Sequence, residues 1–210
     1  MSRPEQLLDR LAASLPDATI ALNFSNTWEL LAATMLSAQS TDVKVNEVTD
    51  VLFVRFPTVQ AVAEASQDEI EAVIGSLGLF RQKAKHLRAT AALILSHHDG
   101  VVPDTMEELL KFPGVARKTA NVVLSNGFGV NVGVVVDTHV KRIATRLGLT
   151  DSADVNRIER DLMGQFPKER WLQISDVFIH HGRRVCDARR PKCDVCVVND
   201  DCPSSTATPG

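Results

Sequence analysis

Residues 112–120 read Phe-Pro-Gly-Val-Ala-Arg-Lys-Thr-Ala, and the reading of this run decides the fold. A short helix ends before it. Pro113-Gly114-Val115 makes a tight turn, since proline ends the helix and glycine accepts backbone angles closed to other residues. A second helix begins near Ala116. Gly114 has no side chain, so the backbone can approach another molecule closely there. The free N–H groups that open the second helix point outward with the positive end of its dipole, which suits a phosphate.

Two helices joined by such a turn form a helix–hairpin–helix, a sequence-independent grip on a DNA backbone. Outward from it, the chain reads as almost entirely helical. Apolar residues recur at three- and four-residue intervals, as in Leu7, Leu8, Leu11 and Leu15. Ser66-Gln67-Asp68-Glu69 and Thr105-Met106-Glu107-Glu108 both fit a capping box. Gly75, Gly100 and Gly148 each follow a periodic run and mark helix ends. The pattern predicts helices near 4–14, 27–38, 42–55, 58–64, 67–75, 80–98, 105–111, 116–127, 138–147, 154–163 and 168–182. The fold class expected is therefore all-α. Residues 130–136 (Val-Asn-Val-Gly-Val-Val-Val) have strand-like β-branched content but no partner strand, and read as an extended buried linker. The tail, 204–210, reads as disordered.

The hydrophobic fraction of 44% is that of a globular protein with a core. No run approaches a membrane span, and the first residues resemble neither a signal nor a transit peptide, so a cytoplasmic protein is expected. Net charge is −3. Residues 1–100 hold 8 Lys and Arg against 12 Asp and Glu, and residues 101–210 hold 15 against 14. A polyanion must therefore dock on local patches. The candidates are Arg81/Lys83/Lys85/Arg88, Arg117/Lys118, Lys141/Arg142/Arg146 and Arg183/Arg184/Arg189/Arg190/Lys192.

All four cysteines, Cys186, Cys193, Cys196 and Cys202, fall in one stretch with the spacing C-x6-C-x2-C-x5-C. Disulfides need an oxidising compartment, for which nothing in the chain speaks. Thiols buried independently would be scattered. Four thiolates on one metal centre are the strong reading, and such a tetrad suits zinc or an iron–sulfur cluster. Zinc knuckles favour two C-x2-C pairs, and one is present. The loop between the first two ligands, Asp-Ala-Arg-Arg-Pro-Lys, carries three cations on a segment pinned at both ends. A preordered basic loop loses less entropy on meeting phosphate. The same cations could instead offset the charge of the thiolate-bound centre.

Lys118 lies in the first turn of the second hairpin helix, beside Arg117. Both features disfavour a charge on its amine, which would make it a nucleophile for Schiff-base chemistry. An ordinary phosphate-binding lysine is the alternative. Asp137, in Val-Asp-Thr-His-Val, opens the next helix as an N-cap. The helix N-terminus favours its ionised form, suited to stabilising a sugar cation or assisting a lysine's deprotonation.

Taken together these motifs resemble the endonuclease III family of DNA glycosylases. The hairpin with Lys118, the Val-Asp-Thr-His motif and the cysteine spacing stand in that family's order, and the likeness extends through Leu36-Ser37-Ala38-Gln39-Ser40-Thr41-Asp42 and Gly78-Leu79-Phe80. The resemblance covers roughly 5–203. It implies a two-domain helix–hairpin–helix DNA glycosylase fold with a C-terminal 4Fe–4S cluster loop. A six-helix domain would span 21–130, with the hairpin at about 105–127. The cluster domain would take 1–20 with 131–203, and DNA would lie across the cleft. It implies a base-excision-repair glycosylase and AP lyase that removes oxidised pyrimidines from duplex DNA, with abasic sites as further substrates, in a monomer acting at the nucleoid.

The resemblance makes Lys118 and Asp137 catalytic. Gln39 would fill the gap left by the flipped base, and Leu79 would wedge from the other side. Gly114, Val115, Ala116, His139, Arg184, Arg189, Arg190 and Lys192 would touch DNA, and the four cysteines would hold the cluster. Alternatives are an adenine-mismatch glycosylase, against which Lys118 argues, and a non-catalytic hairpin protein. Two departures stand out: Ala116 replaces the usual second hairpin glycine, and Phe80 a frequent tyrosine in a chain that has none.

Overall fold

A computed structural model describes residues 2–207. Among them are eleven α-helices and no β-strand: α1 (Arg3–Ser14), α2 (Thr27–Leu36), α3 (Asp42–Arg55), α4 (Val59–Glu64), α5 (Gln67–Ile74), α6 (Phe80–His98), α7 (Met106–Leu109), α8 (Arg117–Gly127), α9 (Thr138–Arg146), α10 (Val155–Gln165) and α11 (Trp171–Arg184). Three 3₁₀ turns, Lys168–Arg170, Cys193–Val195 and Asn199–Asp201, complete the order.

The caps explain most boundaries. Ser66 and Glu69 form the expected reciprocal box at α5. At α7 only half of the expected box exists. Thr105 accepts from the Glu108 N–H, but the Glu108 carboxylate pairs with Lys111. An unforeseen full box, Ser2 with Glu5, opens α1. Gly100 and Gly148 are left-handed, as a helix-ending glycine should be, whereas Gly75 keeps right-handed helical angles.

The chain divides into two compact units, one of residues 21–132 and one of 1–20 with 133–210. In the first, α4 and α5 pack on α6, and α2 packs on α8. Leu30, Leu31, Leu36, Leu52, Ile70, Ile74, Leu87 and Ile94 are fully buried there. In the second, Leu7, Leu8 and Leu11 of α1 join Val140 and Ile143 of α9, Ile158 and Leu162 of α10, and Ile174 and Phe178 of α11 in one core. Burial of a side chain of that size contributes about 1.5–3 kcal/mol.

Of the valine-rich run 130–136, only the second half is buried: Val134, Val135 and Val136 are, Val130 is exposed. The Val130 N–H turns back to the Leu124 carbonyl, and the Val135 N–H finds the Ser175 hydroxyl. A side chain thus supplies the partner that a neighbouring strand would have given. At the other end, residues 204–207 of the tail are held near the cluster loop, with the Thr206 hydroxyl donating to Cys193 Sγ at 3.4 Å. Residues 208–210 lie outside the described residues.

Candidate active-site residues and cluster loop

The hairpin turn rests on α6. The Thr90 hydroxyl donates to the Pro113 carbonyl at 3.3 Å, the Val115 N–H closes the turn on the Phe112 carbonyl at 3.1 Å, and the His98 ring meets Phe112 edge-on. Gly114 has φ +81°, and a Cβ there would lie 2.5 Å from His86 Nδ1. Glycine is therefore required from inside the protein as well as by its backbone angle. Val115 is buried, so within this unit its side chain packs while its backbone shapes the turn. Ala116 is an extended N-cap (φ −94°, ψ 170°), a conformation alanine adopts without strain. No side chain caps α8, which leaves its first N–H groups open to an anion. Lys118 projects from this first turn. It is exposed and has no hydrogen-bond or ion-pair partner among the described residues.

Gln39 and Leu79 share an unusual backbone. Both are left-handed, at φ +55° and +58°, a conformation that costs most side chains of order 1 kcal/mol or more and clusters at functional sites. Leu79 is 59% exposed, so its side chain stands outside the core. Beside it, the Arg81 guanidinium lies over the Phe80 ring at 5.2 Å. A Cβ on Gly78 would stand 3.7 Å from the Gln39 carbonyl oxygen, so the two loops lie side by side.

In the other unit, Asp137 caps α9. Its Oδ1 accepts the N–H groups of His139 and Val140, each at 2.8 Å, and its Oδ2 has no partner among the described residues. His139 Nδ1 faces the Arg142 guanidinium at 3.1 Å, and burial holds its pKa below the ordinary imidazole range.

The four cysteines line one cavity together with Arg146 and His181. Among the described residues, no three His, Cys, Asp or Glu side chains are grouped as ligands of a single ion. Four thiols lining one cavity are a ligand set that fits a thiolate-bound metal centre, an iron–sulfur cluster included. His181 is pushed down to about 4, by burial first and then by the Arg142 charge, so it is uncharged at neutral pH behind Cys196.

Arginines hold the loop. Arg146 donates to Cys186 Sγ at 3.1 Å and to the carbonyls of Asp187 and Ala188 at 2.7 and 2.9 Å. Arg142 reaches the carbonyls of Cys186 and Gly182, and Lys141 that of Ala153. From α1, Arg10 holds Asp201 and the Val197 carbonyl, and Arg3 the Asp201 carbonyl. This corrects the expectation that Lys141/Arg142/Arg146 form a phosphate patch: those cations face backbone oxygen. Arg184 is likewise engaged, in a two-pronged pair with Asp17 at 2.8 Å on each side. Arg189, Arg190 and Lys192 stay exposed, with Asp187 Oδ1 accepting the N–H groups of both arginines. Lys192 Nζ donates to the Arg184 carbonyl. In the first patch Arg88 binds the Ala65 carbonyl and Lys83 is buried. Sequence reasoning missed these tethers because a main-chain carbonyl leaves no mark in the residue string.

Residues 32–168 match the family described as HhH-GPD superfamily base excision DNA repair protein, and residues 186–202, from first cysteine to last, match the iron–sulfur binding domain of endonuclease III. The chain is 50% identical over 206 residues to Endonuclease III of Synechocystis sp., covering 98% of this chain and 94% of that one. This chain belongs to the endonuclease III family. Two solved structures are similar along 97% of both chains, at 40% identity and a TM-score of 0.90. One is a non-covalent Endonuclease III–DNA complex, the other a trapped Endonuclease III–DNA covalent intermediate. As a member of the endonuclease III family the chain is a DNA glycosylase and AP lyase with an iron–sulfur cluster. Among the described residues, no helix is long and apolar enough to cross a membrane.

Proposed function

We propose that Lys118 is the nucleophile of this glycosylase and lyase, and that its substrates are oxidised pyrimidines and abasic sites in duplex DNA. The observation that carries this reading is an exposed, unpartnered amine in the first turn of α8, directly after a glycine turn that opens its N–H groups to phosphate. Gly114, Val115 and Ala116 hold the DNA backbone through that turn. Gln39 and Leu79 insert where the damaged nucleotide leaves the stack. Neutral Lys118 Nζ attacks C1′ of the sugar, forming a C–N bond as the bond to the base breaks. The base leaves with the electron pair and takes a proton from water. The amine's proton passes to a base, for which Asp137 Oδ2 has the free lone pairs. Ring opening gives a protonated Schiff base. Loss of a C2′ proton then expels the 3′ phosphate by β-elimination.

Cys186, Cys193, Cys196 and Cys202 hold the 4Fe–4S cluster. When bound, the cluster cross-links four points of an otherwise irregular loop. Arg189, Arg190 and Lys192 are the loop's phosphate contacts. His139 and Arg184 are further contacts to DNA. The enzyme works as a monomer on nucleoid DNA in the cytoplasm.

Borohydride reduction during turnover of duplex DNA containing thymine glycol tests the nucleophile. Wild type is expected to give a covalent adduct and Lys118→Ala none. A full adduct with Lys118→Ala would overturn the assignment. Asp137→Asn keeps an N-cap oxygen, so it is expected to melt like wild type while turning over about 10²–10⁴-fold more slowly.

A further inference from the structure

The amine of Lys83 has no part in the chemistry above, and its surroundings are unusual. Lys83 lies in the first turn of α6 and is 7% exposed. Its one side-chain partner among the described residues is the Ser40 hydroxyl, which accepts from Nζ at 2.9 Å. No carboxylate among the described residues pairs with it, and burial pushes its pKa below the ordinary lysine range. Removing an ammonium from water with one neutral acceptor is unfavourable, so a buried methylene chain alone does not account for a lysine here.

What the amine joins is specific. Ser40 directly follows Gln39, and the Ser40 N–H closes a turn on the Ser37 carbonyl. At the other end, the Lys83 N–H donates to the carbonyl of Leu79 at 3.0 Å. That backbone bond is the first of α6, which Leu79 caps, so the amine ties the loop of Gln39 to the helix end that carries Leu79. Gln39 and Leu79 are two of the three left-handed non-glycine residues among those described. Each is strained alone, and strained backbone persists only where its surroundings over-determine it.

We propose that Lys83 is a positioning residue which locks Gln39 and Leu79 in one geometry for joint insertion into the DNA stack. This rests on the insertion roles assigned above. Lys83 touches no substrate; it acts on the opening of the duplex and leaves the attack by Lys118 unaltered.

The test uses the holoenzyme on two substrates. One is duplex DNA with thymine glycol opposite 2-aminopurine, whose fluorescence rises when its stacking is lost. The other is a single-stranded abasic oligonucleotide, which has no stack to open. Lys83→Met keeps the buried chain and removes the charge; Ser40→Ala removes only the acceptor. Both are expected to lower duplex kcat/KM about tenfold or more and to reduce the 2-aminopurine rise, with single-stranded strand scission within about twofold of wild type. The double variant should be no worse than either single one, as for two groups in one interaction. If Lys83→Met does not fold, Ser40→Ala carries the same comparison. Wild-type values on the duplex with Ser40→Ala would overturn the proposal, as would equal losses on both substrates. Failure of the wild type to give any 2-aminopurine rise while still cleaving the duplex would instead overturn the insertion roles themselves.

Discussion

The hairpin turn and the cluster loop are both proposed to meet DNA phosphate, and they are built in opposite ways. The turn is a seven-residue link between α7 and α8, and α6 supports it through His86, Thr90 and His98. Its shape follows from proline, glycine and the helices it joins. The loop runs from Cys186 to Cys202 with two single 3₁₀ turns, and Val198 is its one fully buried apolar residue. So little apolar burial cannot offset the entropy of ordering such a stretch. Arginines on its carbonyls and a cluster on its thiolates take the place of a core. A short turn can therefore present backbone N–H groups as they stand, whereas a long loop must be cross-linked before it can present side chains.

The largest expected effect breaks the loop and spares the turn. Cys196→Ser is expected to lose the visible absorbance of the cluster and the cooperative unfolding of the unit formed by 1–20 and 133–210. Protease resistance within 21–132 should survive. Wild-type melting of a protein without iron would end the cross-link account.

Next comes a difference in pH response. Asp176, in α11, has no ion-pair partner among the described residues, and burial raises its carboxyl from 3.8 to about 7. The folded state therefore holds a proton that the unfolded state has released, so stability falls as pH rises from about 4 to about 7 and then levels off. Asp176→Asn imitates the protonated acid. It is expected to stabilise this unit by roughly 2–4 kcal/mol at pH 8 and by little at pH 4, read from urea melts at both pH values. Equal effects at the two pH values would contradict the assignment.

A smaller effect breaks the turn. Gly114→Ala adds a Cβ at positive φ and against His86, and should destabilise unit 21–132 by about 1–3 kcal/mol. His86→Ala in the same background removes the clash but not the backbone strain, so calorimetry should show partial recovery. Full recovery would mean that strain at φ +81° counts for nothing.

The smallest effect separates two kinds of arginine. Arg190→Ala should leave the melting temperature unchanged and reduce the salt slope of duplex binding by about one. Arg146→Ala should do the reverse, because its guanidinium faces Cys186 Sγ and two carbonyls. Titrations at several salt concentrations distinguish them.

The helices were legible because a period near 3.6 in apolar residues is a physical requirement of burying one face, and α3 and α6 match their expected bounds. Caps were legible where both partners are side chains, as with Ser66 and Glu69. They were misleading where a competing pair was stronger, as with Glu108 and Lys111. The catalytic roles proposed for Lys118 and Asp137 come from the resemblance; spacing alone leaves a phosphate-binding lysine and a simple cap. The charge runs were the least legible. Lys83, Arg142 and Arg146 sit in basic patches by sequence, yet one points into the protein and two toward main-chain oxygen. Residue order records a charge but not its direction. The left-handed backbone at Gln39 and Leu79 was also invisible, since neither residue type favours it.

The first helix belongs to the unit that the chain completes last. Leu7, Leu8 and Leu11 of α1 share a core with Phe178 and Val198, while residues 21–132 form their own. On the ribosome the inserted unit can close early. Helix α1 must wait, its apolar face uncovered, for tens of seconds at ordinary rates of synthesis. Its Ser2–Glu5 box favours helix at its start, and Arg3, Glu5, Asp9 and Arg10 keep the segment charged. Moving α1 by circular permutation to follow residue 207 would let this unit assemble as one late piece and would lower the demand for chaperones.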